Sequence, residues 1–221
     1  MKTGALIFDM DGTMVDSMPF HAKSWGEFTH RHGIAMGTDE VLRRTTGRNG
    51  VECMHELFGR QLSDREAWQL VAEKEAIYRE LFAPVFAEVR GFRGFARQAL
   101  ERGLKLAVGT AGDRHNIEFV MTRLQMAPPP LAVVGGDEGL PGKPQPAIFL
   151  EAARRIGVPP AQCIVFEDAP LGIEAARRAG MRAVAVCTTH STTELAGSHV
   201  VAQVRDYEEL MTTDFLESLD A

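Results

Sequence analysis

The chain has 221 residues, of which 45% are hydrophobic and 24% charged, and its formal net charge at pH 7 is -6. This length and composition predict a folded globular protein with one large domain, or with a domain that carries an insertion. The negative charge argues against nucleic acid or an anionic membrane as a partner, because both select a basic surface.

Cysteine usage and the apolar segments predict where the protein resides. Cys53, Cys163 and Cys187 are odd in number and far apart, which indicates buried thiols rather than a disulfide framework. No apolar run approaches the roughly 18 residues of a membrane span, and the first strand-like run starts too close to Met1 to follow a signal peptide. We therefore expect a cytoplasmic protein, either a monomer or a weak homodimer.

The first predicted element is a buried strand from Ala5 to Phe8 that runs directly into two aspartates. Met10 separates Asp9 from Asp11, so strand alternation directs both carboxylates to the same side, and Gly12 permits a tight turn behind them. Ligands of open α/β sheets bind outside the carboxyl ends of strands. We predict that one carboxylate attacks phosphorus while the other moves a proton. A plain turn is the alternative, since aspartate is common in turns.

Between residues 15 and 89 the strand signal disappears and helical periodicity replaces it. The apolar residues with helical spacing are Met18, Ala22, Trp25 and Phe28, followed by Ala67, Leu70, Val71, Ile77, Tyr78 and Leu81. This pattern predicts a helical insertion that can close over the crevice. The expected organisation is a core formed by residues 1–14 and 90–221, with a helical cap domain at residues 15–89.

Four further strand-like runs alternate with helical patterns in the rest of the chain. They are Leu104 to Val108, Leu131 to Val134, Ile164 to Phe166, and Ala183 to Val186. Such alternation predicts a parallel sheet covered by helices on both faces. The expected fold is α/β, a Rossmann-like doubly wound parallel sheet with an inserted α-helical cap.

Two of these later strands lead into residues suited to holding a phosphate. Thr110, Ala111 and Gly112 open a predicted helix after one strand, where a hydroxyl and free amides bind phosphate; a helix-capping role for Thr110 is the alternative. Lys143 lies in a loop stiffened by prolines after the next strand, where its ammonium offsets phosphoryl charge. A solvated surface lysine is the competing interpretation of Lys143.

An acidic pair, Glu167 and Asp168, follows the strand after that. Neighbouring carboxylates repel one another unless a cation joins them, and Mg²⁺ prefers oxygen ligands of this kind. We predict a Mg²⁺ site formed by Asp9, the carbonyl of Asp11, Asp168 and Glu167, the last of them either directly or through water. A turn with an aspartate helix cap is the alternative for this dipeptide alone.

These four segments, in this order, resemble the haloacid dehalogenase superfamily of aspartate-nucleophile phosphatases and mutases. Its DxDGT motif matches Asp9 to Thr13, and its hydroxyl, lysine and acidic motifs match Thr110, Lys143-Pro144 and Glu167-Asp168. The insertion is similar to the cap of the β-phosphoglucomutase-like subfamily. The resemblance implies that Asp9 forms an aspartyl phosphate, that Asp11 protonates the leaving alcohol and then activates water, and that Mg²⁺ is the cofactor. Dehalogenases of the superfamily lack the acid at the position of Asp11, so dehalogenation is not expected.

The cap loop departs from the pattern of the sugar mutases, which often carry a Lys-Gly-x-Ser-Arg type loop. Residues 46–50 here read Thr-Gly-Arg-Asn-Gly, so two cations that would hold a second phosphate are missing. This favours a phosphatase acting on small phosphorylated metabolites, above all sugar monophosphates. The predicted substrate contacts are His21, Trp25, Thr46, Gly47, Arg48, Asn49, Ala111 and Gly112.

Two other functions stay open at this stage. A sugar-phosphate mutase is the first alternative, because His21 aligns with a cap histidine of the mutases. A binding module without turnover is less expected, because all the core motif residues are present. Arg48 as an ordinary loop arginine and His21 as a packed side chain also stay open.

Overall fold

The computed structural model describes residues 2–45 and 48–219, and a six-stranded parallel sheet forms its centre. The strands are β1 (Ala5–Phe8), β2 (Lys105–Gly109), β3 (Ala132–Val134), β4 (Cys163–Glu167), β5 (Arg182–Val186) and β6 (Val200–Val204). Their spatial order is β3-β2-β1-β4-β5-β6. Phe8 pairs with Val108 on one side and Phe166 on the other, so the three central strands end level. The strand order reverses at β1, which opens a crevice at its carboxyl end.

Helices connect the strands and cover the sheet. Those inserted between β1 and β2 are α1 (Met18–Arg31), α2 (Thr38–Thr45), α3 (Gly50–Phe58), α4 (Asp64–Phe82) and α5 (Phe92–Glu101). Those that follow are α6 (Arg114–Leu124), α7 (Ala147–Ile156), α8 (Pro170–Arg178), α9 (Tyr207–Met211) and α10 (Phe215–Ser218). Short 3-10 turns lie at Ala83–Val85 and Pro160–Gln162.

The alternation of side chains along β1 divides the core into two apolar layers. Leu6 and Phe8 pack on one face of the sheet against α5, α6, α9 and α10. Ala5 and Ile7 pack on the other face against α7 and α8. All four residues of β1 are fully buried or nearly so. The sheet is therefore covered on both faces, as a doubly wound parallel sheet requires.

Helices α1 to α4 enclose a third apolar cluster of their own. It includes Trp25, Phe28, Met54, Val71 and Ile77, and none of its buried members comes from the sheet. The two chain segments that lead into and out of these helices run side by side. Asp16 N donates to Ala87 O at 3.0 Å, and Val89 N donates to Met14 O at 3.0 Å. These bonds anchor the inserted helices immediately beyond the carboxyl end of β1.

The predicted α/β fold is confirmed, with differences at the edges of elements. The five predicted strands are present within one residue at either end. The edge strand β6 was not predicted, because its side chains alternate between half-buried and exposed and it lacks a long apolar run. The prediction that a helix opens at Thr110 to Gly112 is wrong. Helix α6 begins at Arg114, and Asp113 is its N-cap. Within the described ranges, no helix has the length and apolarity needed to cross a membrane.

Candidate active site

Side chains from four strand ends meet at the carboxyl edge of the sheet. Asp9 follows β1, Thr110 follows β2, Lys143 lies in the loop after β3, and Asp168 follows β4. All four are buried, with between 1% and 6% of their surface exposed. Polar side chains are rarely buried this deeply without partners, so their mutual contacts determine the chemistry of the site.

The ammonium of Lys143 bridges two of the carboxylates. Its Nζ donates to Asp9 Oδ1 at 2.5 Å and to Glu167 Oε1 at 2.6 Å, and it lies 5.0 Å from the centre of the Phe149 ring. Burial lowers the pKa of Lys143, but the two carboxylates outweigh burial and raise it above its ordinary value. Lys143 is therefore a fixed positive charge beside Asp9 and not a solvated surface lysine.

Three buried carboxylates share this space, and their chemistry fits a hard divalent cation. Asp9, Glu167 and Asp168 each offer an oxygen within 4.8 Å of the others. Burial, together with repulsion from Glu167 and Asp11, raises the pKa of Asp9 to about 7 despite Lys143. Burial and the charges of Glu167 and Asp9 likewise raise the pKa of Asp168. One lysine does not compensate three carboxylates, so a bound Mg²⁺ would relieve the remaining repulsion.

The turn after β1 is shaped around this acidic group. Gly12 adopts a φ of +76°, and a Cβ at this position would overlap the carboxylate of Asp168. Thr13 Oγ1 donates to Asp168 Oδ1 at 3.4 Å. Glycine is thus needed both for the left-handed backbone and for the close approach of the acid.

Glu167 and Asp168 differ in how their oxygens are used. Glu167 accepts from Lys143 through Oε1 and from Ala169 N through Oε2 at 2.7 Å, so both its oxygens are engaged within the protein. Asp168 is held by the loop after β5, where Thr189 Oγ1 donates to its carboxylate and His190 Nδ1 lies 2.9 Å from its carbonyl oxygen. Helix α8 is capped at Ala169, so Asp168 is not the helix cap that was the alternative. Direct metal contact by Glu167 stays a prediction.

Asp11 faces away from the acidic group and toward the inserted helices. Its Oδ1 accepts from Ser17 Oγ at 2.7 Å and from Tyr78 OH at 3.1 Å, and His21 Nε2 lies 3.1 Å from it. Burial alone would raise the pKa of Asp11, but His21 and these hydrogen bonds together lower it to about 2. The Asp11 side chain is therefore ionised here, and its backbone carbonyl stays the predicted metal ligand.

Contacts fix the orientation of His21. Lys74 Nζ lies 2.7 Å from His21 Nδ1, and the imidazole stacks on the Tyr78 ring with a centroid separation of 3.8 Å. Because an ammonium only donates, Nδ1 is the acceptor and Nε2 carries the hydrogen that faces Asp11. The Nε2 contact is close but not aligned as a hydrogen bond. His21 is a packed histidine that also touches the predicted acid and base.

Thr110 lies in the short segment between the end of β2 and the start of α6. Its Oγ1 accepts from Gly112 N at 3.0 Å, while Asp113 caps α6 by accepting from Asn116 N at 2.9 Å. The helix-cap alternative for Thr110 is thus wrong, because Asp113 is the N-cap of α6. Ala111 and Gly112 line the same cavity as Asp9.

The inserted helices form one side of the cavity above the carboxylates. His21, Trp25 and Arg48 line it, as do Leu42 and Met54. Two further predicted contacts, Thr46 and Gly47, lie outside the described residues. Asn49 caps α3 in a reciprocal capping box with Glu52, so its side chain already has a structural role. A contact between Asn49 and substrate stays a prediction.

Sequence reasoning missed several polar residues that line this cavity, among them Lys74, Glu75 and Asn116. Lys74 donates to Glu75 Oε1 at 2.9 Å, and Asn116 Nδ2 donates to Glu75 Oε2 at 2.7 Å. One signal was present in the sequence. Lys74 occupies the apolar stripe of α4 between Val71 and Tyr78, a position where a solvated lysine is not expected.

Comparisons with known proteins identify the family. Residues 3–180 match the family model described as haloacid dehalogenase-like hydrolase. The chain is 33% identical over 195 residues to validoxylamine A 7'-phosphate phosphatase of Streptomyces hygroscopicus subsp. limoneus, covering 88% of this chain and 91% of that protein. It is also 33% identical over 191 residues to fructose-1-phosphate phosphatase YqaB of Escherichia coli (strain K12), and this match covers 84% of this chain and 97% of that protein.

Solved structures agree with the fold. The crystal structure of β-phosphoglucomutase from Clostridium difficile superposes with a TM-score of 0.84 at 24% identity, covering 98% of this chain and 96% of the other. This likeness concerns the fold, and the sequence matches carry the assignment. The chain belongs to the haloacid dehalogenase-like hydrolase family.

Proposed function

We propose that the protein is a Mg²⁺-dependent phosphatase that hydrolyses small phosphorylated metabolites, with sugar monophosphates as the main class, through an aspartyl phosphate on Asp9. The observation that carries this proposal is the Lys143 bridge between Asp9 and Glu167, next to the carboxylate of Asp168. Relatives named as phosphatases of fructose 1-phosphate and of hexitols support the substrate class. A cytoplasmic location and a monomeric or weakly dimeric state stay predictions from the sequence.

In the first half of the proposed reaction, an oxygen of Asp9 attacks phosphorus and the bond from phosphorus to the leaving alcohol breaks. Lys143, already bonded to Asp9, holds an equatorial phosphoryl oxygen, and the hydroxyl of Thr110 holds another. When bound by Asp9, Asp168 and the carbonyl of Asp11, Mg²⁺ supplies positive charge that offsets repulsion between the carboxylate and the phosphate dianion. The leaving oxygen takes a proton from Asp11 as this bond breaks, which avoids expelling an unprotonated alkoxide.

Asp11 moves the proton in both halves of the proposed reaction. In the absence of substrate its pKa is about 2, so the carboxylate is ionised, which is the form that can take a proton from water in the second half. A phosphate dianion that enters the cavity raises the proton affinity of a nearby carboxylate, which suits the acid in the first half. Since the contacts with Ser17, Tyr78 and His21 all fall on Oδ1, the other oxygen is available for the proton.

The inserted helices act as the cap domain of the proposed enzyme, with boundaries at residues 15 and 89. The hydrogen bonds of Asp16 to Ala87 and of Val89 to Met14 support those boundaries, because they tie the two connecting segments together. Closure of such a cap excludes water while the phosphoenzyme forms. The residues that line the cavity from this side, such as Trp25 and Arg48, are then the proposed selectors of the leaving group.

Hydrolysis is favoured over mutase action by the packing at Gly50. A Cβ at this position would lie 2.7 Å from Val71 Cγ1, so an arginine, which the sugar mutases carry here, would require Val71 to move. A mutase must hold two phosphates at once, and loss of a cation that pairs with phosphate weakens this grip. The mutase alternative still has one point in its favour, which is the contact of His21 with Asp11.

The test is incubation of the purified protein and Mg²⁺ with a panel of sugar monophosphates, with and without a sugar bisphosphate primer. Free phosphate and isomerised sugar phosphate are measured in the same samples. Phosphate release without isomerisation is the expected result. Primer-dependent isomerisation with no net phosphate release would establish a mutase instead. If neither free phosphate nor isomerised sugar phosphate is formed, the proposal of a sugar phosphatase is wrong.

A further inference from the structure

Lys74 places a positive charge in the part of the cavity formed by the inserted helices, away from the predicted phosphoryl site. Its side chain is 2% exposed, and its Nζ lies 4.7 Å from the centre of the Trp25 ring. A buried lysine in such a position is a ready partner for a second anionic group on the substrate. Whether it acts as one depends on how much of its charge is already used.

Glu75 forms an ion pair with Lys74 and neutralises its charge. The distance from Lys74 Nζ to Glu75 Oε1 is 2.9 Å, and the Glu75 side chain is itself only 14% exposed. His21 occupies a second donor position of the same ammonium, at 2.7 Å. The adjacent residues thus form a buried ion pair whose net charge is zero, and both members line the cavity.

A residue of α6 holds Glu75 in this position. Asn116 Nδ2 donates to Glu75 Oε2 at 2.7 Å, while Asn116 Oδ1 accepts from Arg79 Nη1 at 2.7 Å. Asn116 is 1% exposed, and its place in the first turn of α6 is fixed by the Asp113 cap. Both carboxylate oxygens of Glu75 accept hydrogen bonds in a buried setting. Glu75 would lose these bonds if it moved aside for a ligand, so we expect it to stay in place.

The remaining positive charge in this part of the cavity is limited. Among the described residues that line it, the cations besides Lys74 are Lys143, which Asp9 and Glu167 occupy, and Arg48. The Arg48 side chain is 44% exposed and lies 4.0 Å from Glu56. A second phosphate placed there would therefore meet one partly solvated arginine, the carboxylate of Glu75, and a lysine whose charge that carboxylate already neutralises.

We infer, on the basis of the phosphatase function proposed above, that Glu75 is a specificity-determining residue that restricts the site to monophosphates whose leaving group carries no second anionic group. Glu75 neutralises Lys74 and repels a second dianion, since like charges in close contact across a binding site oppose association. Uncharged hydroxyl groups on the leaving group suffer no such repulsion. Sugar and polyol monophosphates are thus accepted, and the matching bisphosphates are rejected.

The experiment compares matched pairs of hexose phosphates at one fixed concentration of free Mg²⁺. The probes are fructose 1-phosphate with fructose 1,6-bisphosphate, and glucose 6-phosphate with glucose 1,6-bisphosphate. For the wild-type protein we expect kcat/KM to favour the better monophosphate over its bisphosphate by at least about tenfold. In Glu75→Gln this preference narrows by about fivefold or more through a lower KM for the bisphosphate.

Two controls separate this effect from general damage. Glu73→Gln removes a carboxylate from the same helix, but Glu73 contacts His32 at 3.0 Å outside the cavity, so the preference should keep its wild-type value. Competitive inhibition by inorganic phosphate reports on the phosphoryl site alone and should change less than twofold in Glu75→Gln. A role in structure alone would not change the preference between two substrates.

The outcomes separate this inference from the function on which it rests. Equal use of monophosphate and bisphosphate by the wild-type protein would overturn the inference and leave the phosphatase standing, even if Glu75→Gln did not fold. An unchanged preference in a folded Glu75→Gln protein would also overturn it. Absence of phosphate release from every probe would overturn the phosphatase and the inference together.

Discussion

Lys143 compensates two buried carboxylates, and its removal leaves both without their cation. Breaking a buried ion pair by removing one partner costs about 3 kcal/mol or more. We predict that Lys143→Met lowers the free energy of unfolding by about this amount in EDTA, measured by urea denaturation. Lys23→Met, at an exposed lysine of α1, should stay within about 0.5 kcal/mol of wild type. Equal stability of the two variants would contradict the geometry of the Lys143 bridge.

At the residue scale, the sequence predicted those groups whose position follows from a single strand. Asp9 and Asp168 each come just after a strand, Lys143 lies in the proline-rich loop that follows another, and parallel strands bring such positions to one edge of a sheet. Glu75 and Asn116 were not predictable in this way. Their contact joins residues 41 positions apart on two helices, and each alone is an ordinary polar residue on a helix surface.

Helix α3 and helix α4 both begin with a side-chain cap, but only one of these caps adjoins the cavity. Asn49 accepts from Glu52 N at 3.0 Å next to Arg48, while Ser63 accepts from Glu66 N at 3.3 Å at a distant helix start. We predict that Asn49→Ala and Ser63→Ala each lower the free energy of unfolding by about 1 kcal/mol.

The two cap variants should differ in kinetics. Asn49→Ala should also raise KM for a sugar monophosphate, because the loop that carries Arg48 loses its anchor, whereas Ser63→Ala should leave KM unchanged. Steady-state phosphate release measures both. Identical KM values for the two variants would show that Asn49 does not support substrate binding through Arg48.

Helix α4 also contributes a pH-dependent term to stability through Glu75. Burial would raise the pKa of Glu75, but Lys74 and His21, with hydrogen bonds from Lys74 and Asn116, lower it below the ordinary 4.5. A carboxyl whose pKa is lower in the folded state stabilises the protein above its unfolded pKa and loses this effect as pH falls. We predict that wild type exceeds Glu75→Gln in stability at pH 7 and that the difference shrinks as the pH drops below about 4.5.

Urea denaturation of both proteins across this pH range measures that difference. Glu73→Gln, whose carboxylate is 37% exposed, is the matched control and should show a smaller change. A difference between wild type and Glu75→Gln that stays constant down to pH 3 would show that Glu75 is not ionised and paired in the folded protein.

At the scale of elements, the sequence was informative where a segment is buried on both sides. Strand β1 was predicted with its observed bounds because all four of its residues are apolar and buried. Strand β6 was not, since it lies at the sheet edge and Gln203 interrupts its apolar run. The start of α6 was misplaced because Asp113, and not Thr110, supplies the cap.

At the scale of the whole molecule, Mg²⁺ should stabilise the fold because its proposed ligands come from separate strands. Asp9 and Asp168 converge in the folded chain, so the unfolded chain offers no comparable site. A ligand that binds only the folded state at a hundred times its Kd adds about 2.7 kcal/mol to the free energy of unfolding. We predict that Mg²⁺ at a hundred times its Kd raises the free energy of unfolding of the wild-type protein by about 2.7 kcal/mol.

Substitution of one proposed ligand gives the control for that gain. Asp168→Asn should abolish most of the Mg²⁺-dependent stabilisation, while Asp39→Asn, at an exposed position in the first turn of α2, should retain it. Thermal or urea unfolding with and without Mg²⁺ measures the effect in each protein. A full Mg²⁺ effect in Asp168→Asn would place the cation elsewhere.

The overall arrangement was predictable because hydrophobic pattern alone separates the sheet from the inserted helices. The apolar cluster built on Trp25, Phe28 and Val71 is distinct from the two layers that cover β1. What the sequence did not reveal is how the helices meet the sheet, since this depends on polar pairs such as Glu75 with Asn116 and His21 with Asp11.

The central claim is that Asp9 becomes phosphorylated during turnover. The most direct measurement mixes Asp11→Asn protein with Mg²⁺ and p-nitrophenyl phosphate, whose leaving group departs without a proton, so that only the second half of the reaction is slowed. The mixture is quenched in acid, and the proteolytic peptides are analysed by mass spectrometry. We predict the mass of one phosphoryl group on the peptide that contains Asp9, and none in the double variant Asp9→Asn/Asp11→Asn. A phosphoryl group on another peptide, or phosphate release by Asp9→Asn at the wild-type rate, would contradict the account.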